Sequence, residues 1–294
     1  MPRTTSGVTP AFLQKFSSRL FALIFPDDCR ICAAPLTHVS RIPVCPACLA
    51  KPVPLTAEHF CAVCRTPFLN SFPLDENGLC GLCRLGLNSF DGAYSFGSYE
   101  GELRALIHLF KYGKVPTLAG PLGKLLARAL PREQTFDLIA PLPLYWFKRW
   151  QRGFNQSELL AREISRRTGV PVRKPIRRVR NTTAQAGLTN AKRRDNVARA
   201  FRVKPRQSLD GLRVLLIDDV MTTGATAGAC AAALKKAGAR HVTLLTLARV
   251  DRRFVAADRR DQANGDRTIT DRTTSFPELP FSGSFEDAKS GSTA

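Results

Sequence analysis

The sequence predicts an α/β protein with a parallel sheet and helices on both faces of that sheet, preceded by a small cysteine-rich module. Two observations predict the sheet. Strand-like apolar segments alternate with helical segments from about residue 92 to residue 250, and the segment expected as a strand at 213–217 is apolar after Arg213. Such alternation is typical of a parallel sheet that is buried on both sides. Four Cys-x-x-Cys pairs between residues 29 and 83 predict the module.

The size and composition exclude several classes of protein. The chain has 294 residues, of which 44% are hydrophobic, enough for an ordinary core. No apolar run approaches the ~20 residues that a membrane-spanning helix needs. Lys15 and Arg19 interrupt the apolar N-terminal stretch, whose Phe and Leu residues recur at helical spacing. We therefore expect an amphipathic helix within residues 1–28 rather than a signal peptide, and a cytoplasmic protein.

Positive charge is concentrated in one segment. The formal net charge is +20, and residues 140–206 contribute +15 of it, from 18 Lys and Arg against three acids. A solvated basic face is the simplest interpretation of any run rich in Lys and Arg. Three quarters of the charge in a single segment instead favours a polyanionic ligand, either a polyphosphate or a nucleic acid.

Eight of the nine cysteines form Cys-x-x-Cys pairs, which are separated by 12, 12 and 15 residues. A Cys-x-x-Cys turn directs both sulfurs at one ion, and two such turns complete a tetrahedral zinc site. Disulfides would need an oxidising compartment, and four closely spaced copies favour a structural role over a redox role. We predict two structural zinc ions without a catalytic water, held by Cys29, Cys32, Cys45, Cys48, Cys61, Cys64, Cys80 and Cys83.

The pairing of these cysteines stays open at this level. Sequential pairing would place the first four in one site and the last four in another, whereas cross-braced pairing would interleave them. The spacing allows both. The ninth cysteine, Cys230, lies in a helix of small residues and is predicted to be a buried core residue.

Hydrophobic spacing predicts the elements of the α/β part. The strands are expected at residues 92–99, 135–144, 213–217 and 241–250. The helices are expected at residues 101–113, 117–130, 155–169 and 225–239, with Pro121 interrupting the second one near its start. From about residue 253 the chain is polar and predicted to be disordered. The predicted domains are the helix at 1–28, a double zinc ribbon at 29–88, the α/β domain at 89–252 and a tail at 253–294.

Residues 214–226 read VLLIDDVMTTGAT, an apolar strand that ends on two aspartates and continues into a loop of small residues. In an open α/β sheet, ligands bind at the carboxyl ends of the strands. The loop opens a helix whose amino end is an anion site, and Thr and Gly let the backbone wrap a phosphate. Asp218 and Asp219 can accept from two ribose hydroxyls. The stretch predicts a ribose 5-phosphate site rather than a turn with incidental aspartate caps.

This stretch closely resembles the phosphoribosyl-pyrophosphate motif of type I phosphoribosyltransferases. The chain also resembles the ComF family over about residues 20–250, through the cysteine pairs and through KYGK at 111–114, PLPL at 141–144, RGFNQSELLA at 152–161 and RNTTAQAGLTNAKRRDNVARAF at 180–201. The resemblance implies a double zinc ribbon followed by a phosphoribosyltransferase-type domain. It also implies an association with DNA uptake in competent bacteria, with a poorly defined acceptor substrate.

The resemblance implies roles for individual residues. Asp218 and Asp219 would position the ribose, and magnesium would bridge ribose and pyrophosphate oxygens. The rest of the phosphoribosyl-pyrophosphate site would consist of Met221, Thr222, Thr223, Gly224, Ala225 and Thr226. Thr222 stands where purine-salvage enzymes of the hypoxanthine-guanine type carry an aspartate. A threonine cannot act as a base near neutral pH, which argues against simple salvage of those two purines.

The segment YWFKRWQRGFNQ at 145–156 interleaves aromatic and cationic side chains. By position it corresponds to the pyrophosphate-contacting loop of the type I enzymes, where Arg149 and Arg152 would stabilise the leaving pyrophosphate. The same interleaving suits single-stranded DNA, with bases stacked on the aromatic rings. Residues 180–194 resemble the mobile active-site loop of those enzymes. The sequence thus predicts a magnesium-dependent phosphoribosyltransferase or, alternatively, a nucleic-acid-binding accessory protein with little or no catalysis.

Overall fold

The computed structural model describes residues 27–36, 40–179, 200–205 and 207–251. The second of the two units into which the chain divides, Ala256–Ala294, lies wholly outside the described residues. Most of the predicted N-terminal helix at 1–28, the 180–194 loop and the tail at 253–294 also lie outside them.

The cysteine-rich part of the chain contains short elements. Helix α1 spans Pro46–Ala50, and the strands β1 (His59–Phe60) and β2 (Pro67–Phe68) form an antiparallel pair. Helix α2 spans Gly81–Arg84. Each helix begins directly after the first cysteine of a Cys-x-x-Cys pair, Cys45 or Cys80, and contains the second cysteine of that pair.

The α/β part follows with strands and helices in alternation. Its elements in chain order are β3 (Gly92–Ser98), α3 (Gly101–Lys111), α4 (Ala119–Arg128), β4 (Leu138–Pro141), α5 (Trp146–Arg152), α6 (Gln156–Thr168), β5 (Ile176–Arg178), β6 (Phe201–Val203), β7 (Arg213–Met221), α7 (Ala225–Lys236) and β8 (His241–Arg249). A 3-10 turn at Pro116–Leu118 precedes α4. Pro121 is the third residue of α4, where its missing N–H costs no helical hydrogen bond.

Four of these strands form a parallel sheet in the spatial order β3-β8-β7-β4. The parallel sheet with flanking helices confirms the predicted fold class. The carboxyl ends of the strands therefore lie along one edge of the sheet, where ligands bind in such folds.

Alternate residues of β7 face opposite sides of the sheet. Leu215 and Ile217 belong to the hydrophobic cluster that α3, α4 and α6 cover. Val214 and Leu216 belong to the cluster on the other face, which α7 covers. All four side chains are at most 1% exposed, as expected for a central strand of a two-sided parallel sheet.

The cysteine-rich part packs on both faces of the same sheet. Cys29 and Cys48 belong to the cluster that contains α3, α4 and α6. Cys61, Cys64 and Cys80 belong to the cluster on the α7 face. The expected boundary between a module at 29–88 and a domain at 89–252 stays a prediction.

The structure differs from the sequence prediction in four elements. Strand β7 continues four residues beyond 217, because Asp218 and Met221 still pair with Thr246 and Arg249 of β8. The segment expected to be a pyrophosphate-contacting loop is helical as α5 and ends at Gly153, whose φ of 80° is left-handed. Strands β5 and β6 form an antiparallel pair on either side of the undescribed 180–199 segment.

Among the described residues, helices are too short or too polar to cross a membrane.

Candidate functional site

The carboxyl end of β7 forms one side of a cleft of about 240 Å³. Strand β7 leads through residues 222–224 into α7, and Gly224 adopts a left-handed φ of 79° at the start of that helix. The Thr223 hydroxyl accepts a hydrogen bond from the Ala225 amide at 3.3 Å and is buried. The amino end of a twelve-residue helix beside a cleft is suited to an anion such as a phosphate.

Most of the residues expected to bind the ligand line this cleft. They are Asp218, Met221, Thr222, Gly224, Ala225 and Thr226. Thr223 is the cap of the turn instead of a lining residue, and Asp219 is connected to the cleft through Lys111, which lines it. The predicted stretch is thus brought together at one place.

The two aspartates have different partners. The Ser157 hydroxyl, at the start of α6, donates to Oδ1 of Asp218 at 3.0 Å, and the Asp219 amide donates to the same oxygen at 2.9 Å. Asp219 instead accepts from Lys111 Nζ at 2.7 Å, and both side chains of this ion pair are largely buried. One carboxylate is therefore neutralised by a cation, whereas the other is held by neutral donors.

Burial and these different partners shift the pKa values of Asp218 and Lys111. Burial raises the pKa of Asp218 to about 7, and the neighbouring Asp219 adds to the rise, while Lys111 opposes it. Burial alone would lower the pKa of Lys111, but the charge and hydrogen bond of Asp219 raise it above its ordinary value. Lys111 is consequently a cation at neutral pH, and Asp218 is close to its titration midpoint there.

The residues predicted from the sequence for this site did not include Lys111, Tyr99 or Ser157. Lys111 and Tyr99 both line it, from the end of α3 and from the residue that follows β3. The signal for Lys111 was present, since it is the first residue of the KYGK segment. Ser157 was equally visible within RGFNQSELLA, but its hydrogen bond to Asp218 follows only from the tertiary packing of α6.

The two arginines expected to contact pyrophosphate lie in different surroundings. Arg152 donates through Nη1 to Gln156 Oε1 at 3.2 Å, and its guanidinium lies 5.1 Å from the ring centre of Tyr112, next to Lys111 in the chain. Arg149 lines a second cleft. Arg149 and Arg152, to which the sequence assigned the same role, therefore lie in different environments.

The second cleft, of about 220 Å³, is strongly basic. Its cationic lining residues are Arg149, Lys174, Arg177, Arg178 and Lys204. Glu158 also lines it and pairs with Lys174 at 2.5 Å; burial opposes ionisation of Glu158, but Lys174 lowers its pKa. We refer to this feature as the basic cleft.

Large aromatic side chains are exposed on α5 beside the basic cleft. Trp146 and Trp150 are 67% and 76% exposed, and Phe147 is 42% exposed. Phe147 and Trp150 stack with a centroid distance of 6.1 Å. Trp146 also lines the basic cleft. Aromatic rings next to cations form the surface that single-stranded nucleic acids prefer.

The cysteines gather into two clusters in sequential order. The first cluster consists of Cys29, Cys32, Cys45 and Cys48, and the second consists of Cys61, Cys64, Cys80 and Cys83. Within each cluster the four sulfurs lie within 4.8 Å of one another. None of the nine cysteines, all of which belong to the described residues, forms a disulfide, and Cys230 is buried as expected. Among the pairings left open by the spacing, the structure has the sequential one.

The clusters fit a tetrahedral zinc ion. Zinc–sulfur bonds of about 2.3 Å imply sulfur–sulfur distances of about 3.8 Å at tetrahedral angles. Cys32 and Cys45 are 3.7 Å apart, and Cys64 and Cys80 are 3.6 Å apart. Backbone amides already point at the sulfurs, as for Cys45 to Cys29 at 3.3 Å and Cys80 to Cys61 at 3.4 Å. Such donors stabilise the thiolates that a metal needs.

The cleft at the carboxyl end of β7, which we call the ligand cleft, has fewer side chains that could bind a divalent cation than the cysteine clusters have. Across the described ranges, the groups of three or more metal-binding side chains are the two cysteine clusters. The cleft contributes the two aspartates, and one of them is already paired with Lys111. Magnesium is usually bound through one or two carboxylates together with the phosphates of a substrate, so that the residues fit a magnesium ion that arrives with its ligand.

The fold and the site together define a protein of the phosphoribosyltransferase type. The family model described as "Phosphoribosyl transferase domain" matches residues 155–276. The chain is 34% identical to Competence protein F of Haemophilus influenzae over 169 residues, which cover 55% of this chain and 74% of that protein. It is 34% identical to DNA utilization protein YhgH of Salmonella typhimurium over 162 residues, or 53% of this chain and 70% of that protein.

A third similarity is to a protein of Bacillus subtilis. Competence protein ComFC of Bacillus subtilis is 32% identical over 113 residues, which cover 38% of this chain and 44% of that protein. The chain belongs to the ComF family.

Proposed function

We propose that this protein binds phosphoribosyl pyrophosphate in the cleft at the end of β7 and transfers its phosphoribosyl group to an acceptor. The observation that carries the proposal is the juxtaposition in one cleft of the acidic residue Asp218, the buried pair Lys111–Asp219 and the amino end of α7. Vicinal hydroxyls and a phosphate on one ligand match carboxylates and a helix amino end on one surface.

Each group has a defined task in this proposal. Asp218 and Asp219 accept hydrogen bonds from the ribose hydroxyls, and residues 222–226 hold the 5-phosphate through backbone amides and threonine hydroxyls. The bond between C1 of the ribose and the pyrophosphate oxygen breaks, and the acceptor nucleophile bonds to C1. Pyrophosphate leaves with the electron pair. Magnesium bound with the ligand supplies charge neutralisation on the phosphate oxygens.

Arg152 is the better candidate of the two arginines for contact with pyrophosphate. Its guanidinium lies over Tyr112, which follows Lys111 in the chain, and Lys111 lines the ligand cleft. Arg149 lines the basic cleft and is assigned to pyrophosphate only through the resemblance to type I enzymes. Both retain the proposed role of stabilising negative charge as the bond to C1 breaks.

The cysteine clusters are proposed to hold one structural zinc each. Four thiolates fill a tetrahedral site and leave no position for a reacting water. We accordingly propose a double zinc ribbon at 29–88 ahead of a phosphoribosyltransferase-type domain at 89–252. Cysteine pairs that hold zinc must stay reduced, and the proposed location is therefore the cytoplasm. The names of two relatives, Competence protein F and DNA utilization protein YhgH, support a role in competence and the use of DNA, and we propose that this role is in DNA uptake.

A titration with phosphoribosyl pyrophosphate and magnesium tests the proposal. The wild-type protein is expected to bind, and Asp218→Asn combined with Asp219→Asn is expected to abolish binding while the fold persists. Glu133→Gln, an exposed acid just ahead of β4 at the other end of the sheet, is the control and should bind normally. Pyrophosphate release is then measured with bases, amines and single-stranded DNA. Normal binding by the double variant would refute the site.

A second function is favoured by the basic cleft and the exposed tryptophans of α5. We infer that this surface binds single-stranded nucleic acid, with phosphates along Arg149, Arg177 and Lys204 and bases stacked on Trp146. The protein would then act as an accessory factor with little or no catalysis. The two clefts are lined by different residues, so that binding of phosphoribosyl pyrophosphate and binding of single-stranded nucleic acid are compatible with each other.

A further inference from the structure

We propose that the second cysteine cluster (Cys61, Cys64, Cys80 and Cys83) braces the 222–224 loop, and that Asn88 is a positioning residue in this brace. Metal bound in that cluster and a phosphoribosyl ligand bound at the loop would then stabilise each other. The brace itself rests on the contacts between the cluster and the loop. Only its coupling to a ligand rests on the proposed function.

The first contact runs through Asn88. Its side-chain amide Nδ2 donates to Cys83 Sγ at 3.7 Å. Its Oδ1 lies 3.2 Å from the position that a Cβ would take on Gly224. The Phe90 ring comes within 3.3 Å of the same position. One side chain therefore joins a metal-binding sulfur to the turn that opens α7.

The backbone on either side of Asn88 also packs against α7. A Cβ placed on Gly228 would lie 3.7 Å from the Cα of Asn88 and 3.7 Å from the Ser89 amide nitrogen. The absence of a side chain at Gly224 allows the close approach of Asn88 and Phe90, whereas a Cβ on Gly228 would make ordinary van der Waals contacts. The chain that leaves the second cluster thus lies directly on the first turn of the helix.

The second contact runs through Arg249 at the end of β8. Its Nη1 donates to the Cys64 carbonyl at 2.6 Å, and its Nη2 donates to the Thr66 hydroxyl at 2.7 Å. The same hydroxyl lies 2.9 Å from Cys64 Sγ. Arg249 is the strand partner of Met221, and Val250 donates to the Met221 carbonyl at 3.0 Å. Met221 precedes the loop and Gly224 ends it, so the cluster is tied to both ends.

The first cysteine cluster has no such position. Cys29 and Cys48 pack in the hydrophobic cluster on the opposite face of the sheet. Cys61, Cys64 and Cys80 share their hydrophobic cluster with Met221 and with Ala227 of α7. The second cluster therefore lies beside the loop, and the first cluster serves as a control within the same protein.

Thermodynamic linkage turns this geometry into a measurable effect. If metal fixes the Cys64 and Cys83 turns, the loop is held in its ligand-binding form, and a ligand that orders the loop must slow loss of that metal. Such coupling is reciprocal and changes affinity by roughly 5–150-fold in typical systems. Changes to groups that hydrogen-bond metal ligands alter metal affinity by about 10–100-fold.

The experiment follows zinc release from the full chain to a coloured chelator, with magnesium present throughout. Saturating phosphoribosyl pyrophosphate is expected to slow one of two release phases by about fivefold or more and to leave the other unchanged. Equal rates with and without the ligand in a protein that binds it, or equal slowing of both phases, would overturn the coupling.

Asn88→Ala tests the brace separately, and Asn77→Ala, an exposed asparagine in the same cysteine-rich part, is the matched control. Asn88→Ala is expected to speed zinc release about tenfold in one phase without any ligand. It should also weaken phosphoribosyl-pyrophosphate binding and erase the protection by that ligand. Wild-type zinc release and binding in Asn88→Ala would refute the brace. Failure of the wild type to bind the ligand would refute the proposed function, while the ligand-free release rates still decide the brace.

Discussion

The ammonium group of Lys111 lies 2.7 Å from a carboxylate oxygen of Asp219, although the two residues belong to different elements, α3 and β7. The side chains are 14% and 12% exposed, so that the pair is shielded from water. Without this cation, two adjacent carboxylates would repel each other in a buried site. Lys111 therefore makes the acidic pair compatible with folding, and it also places a positive charge in the ligand cleft.

Lys111→Met should destabilise the protein, because it leaves Asp219 buried without its partner. Loss of one member of a buried pair typically costs about 3–5 kcal/mol. Adding Asp219→Asn should restore much of the lost free energy of unfolding, while ligand binding should remain weak. Denaturant unfolding of the single and double variants measures this effect.

The exposed pair Lys51–Glu102 provides the control for that experiment, since its side chains are 54% and 36% exposed. Lys51→Met should leave the free energy of unfolding nearly unchanged. Equal destabilisation by Lys111→Met and Lys51→Met would contradict the role given to the buried pair.

The raised pKa of Asp218, about 7 against an ordinary 3.8, predicts a pH dependence of stability. Between about pH 4 and pH 7 the folded protein keeps the Asp218 proton that the unfolded chain has lost. The folded state then binds more protons, and its stability falls as the pH rises. Asp218→Asn removes this contribution, so that the variant should gain on the wild type by up to ~1.4 kcal/mol per pH unit in this window.

Urea unfolding of both proteins at successive pH values checks this prediction. The cysteine clusters are common to both proteins, so their own pH dependence cancels in the difference. The difference should level off above about pH 7, where Asp218 is ionised in both states. A difference that does not change with pH would show that Asp218 titrates normally.

Two zinc ions per chain are expected in protein purified without chelator. Elemental analysis should give a ratio near two, and Cys48→Ser or Cys83→Ser should each lower it to near one, because each removes a ligand from a different cluster. Thr222→Ser, outside both clusters, serves as the control. A ratio near zero in reduced and folded protein would exclude the zinc ribbons.

Binding of single-stranded DNA to the basic cleft should weaken steeply with salt, with a log–log slope of roughly −0.7 for each phosphate contact. Arg149→Ala with Arg177→Ala should make this slope shallower by about one to two units. Trp146→Ala should instead cost roughly 1–3 kcal/mol through lost stacking and leave the slope nearly unchanged. Fluorescence anisotropy at several salt concentrations separates the two effects.

Arg84→Ala, an exposed arginine of α2, is the control for these titrations and should match the wild type. Saturating phosphoribosyl pyrophosphate should leave DNA binding unchanged if the two clefts act independently. DNA binding that does not respond to salt would rule out the basic cleft as its site.

The order of the longer strands and helices was predictable because most of them have a clear hydrophobic period and a terminal signal. Helix α6, for example, begins at the Asn155 cap and ends at Gly169, whose φ is 74°. Helix α5 was not predicted, since Tyr145 provides no side-chain cap and the aromatic residues of the helix are exposed instead of forming a buried apolar stripe. Strands β5 and β6 have three residues each, too few for a period to be visible.

The candidate site was predictable where it is continuous in the chain and not where it is assembled from distant elements. Residues 218–226 carry their own signal, because an apolar strand, two acids and a small-residue helix start follow one another. The ion pair of Lys111 and the hydrogen bond of Ser157 join residues far apart in sequence. Periodicity shows which face of a helix is buried but not which side chain it meets.

The position of β8 between β3 and β7 has a consequence for synthesis on the ribosome. Ser95 and Thr246, whose hydroxyls are 2.7 Å apart, are separated by 151 residues. Strand β3 emerges early, but its sheet partner is the last strand of the described chain to be translated. Until β8 is translated, β3 therefore has no strand partner in the sheet, and the edge of β7 that pairs with β8 is also open. That interval is the stage at which a chaperone would have the largest surface to protect.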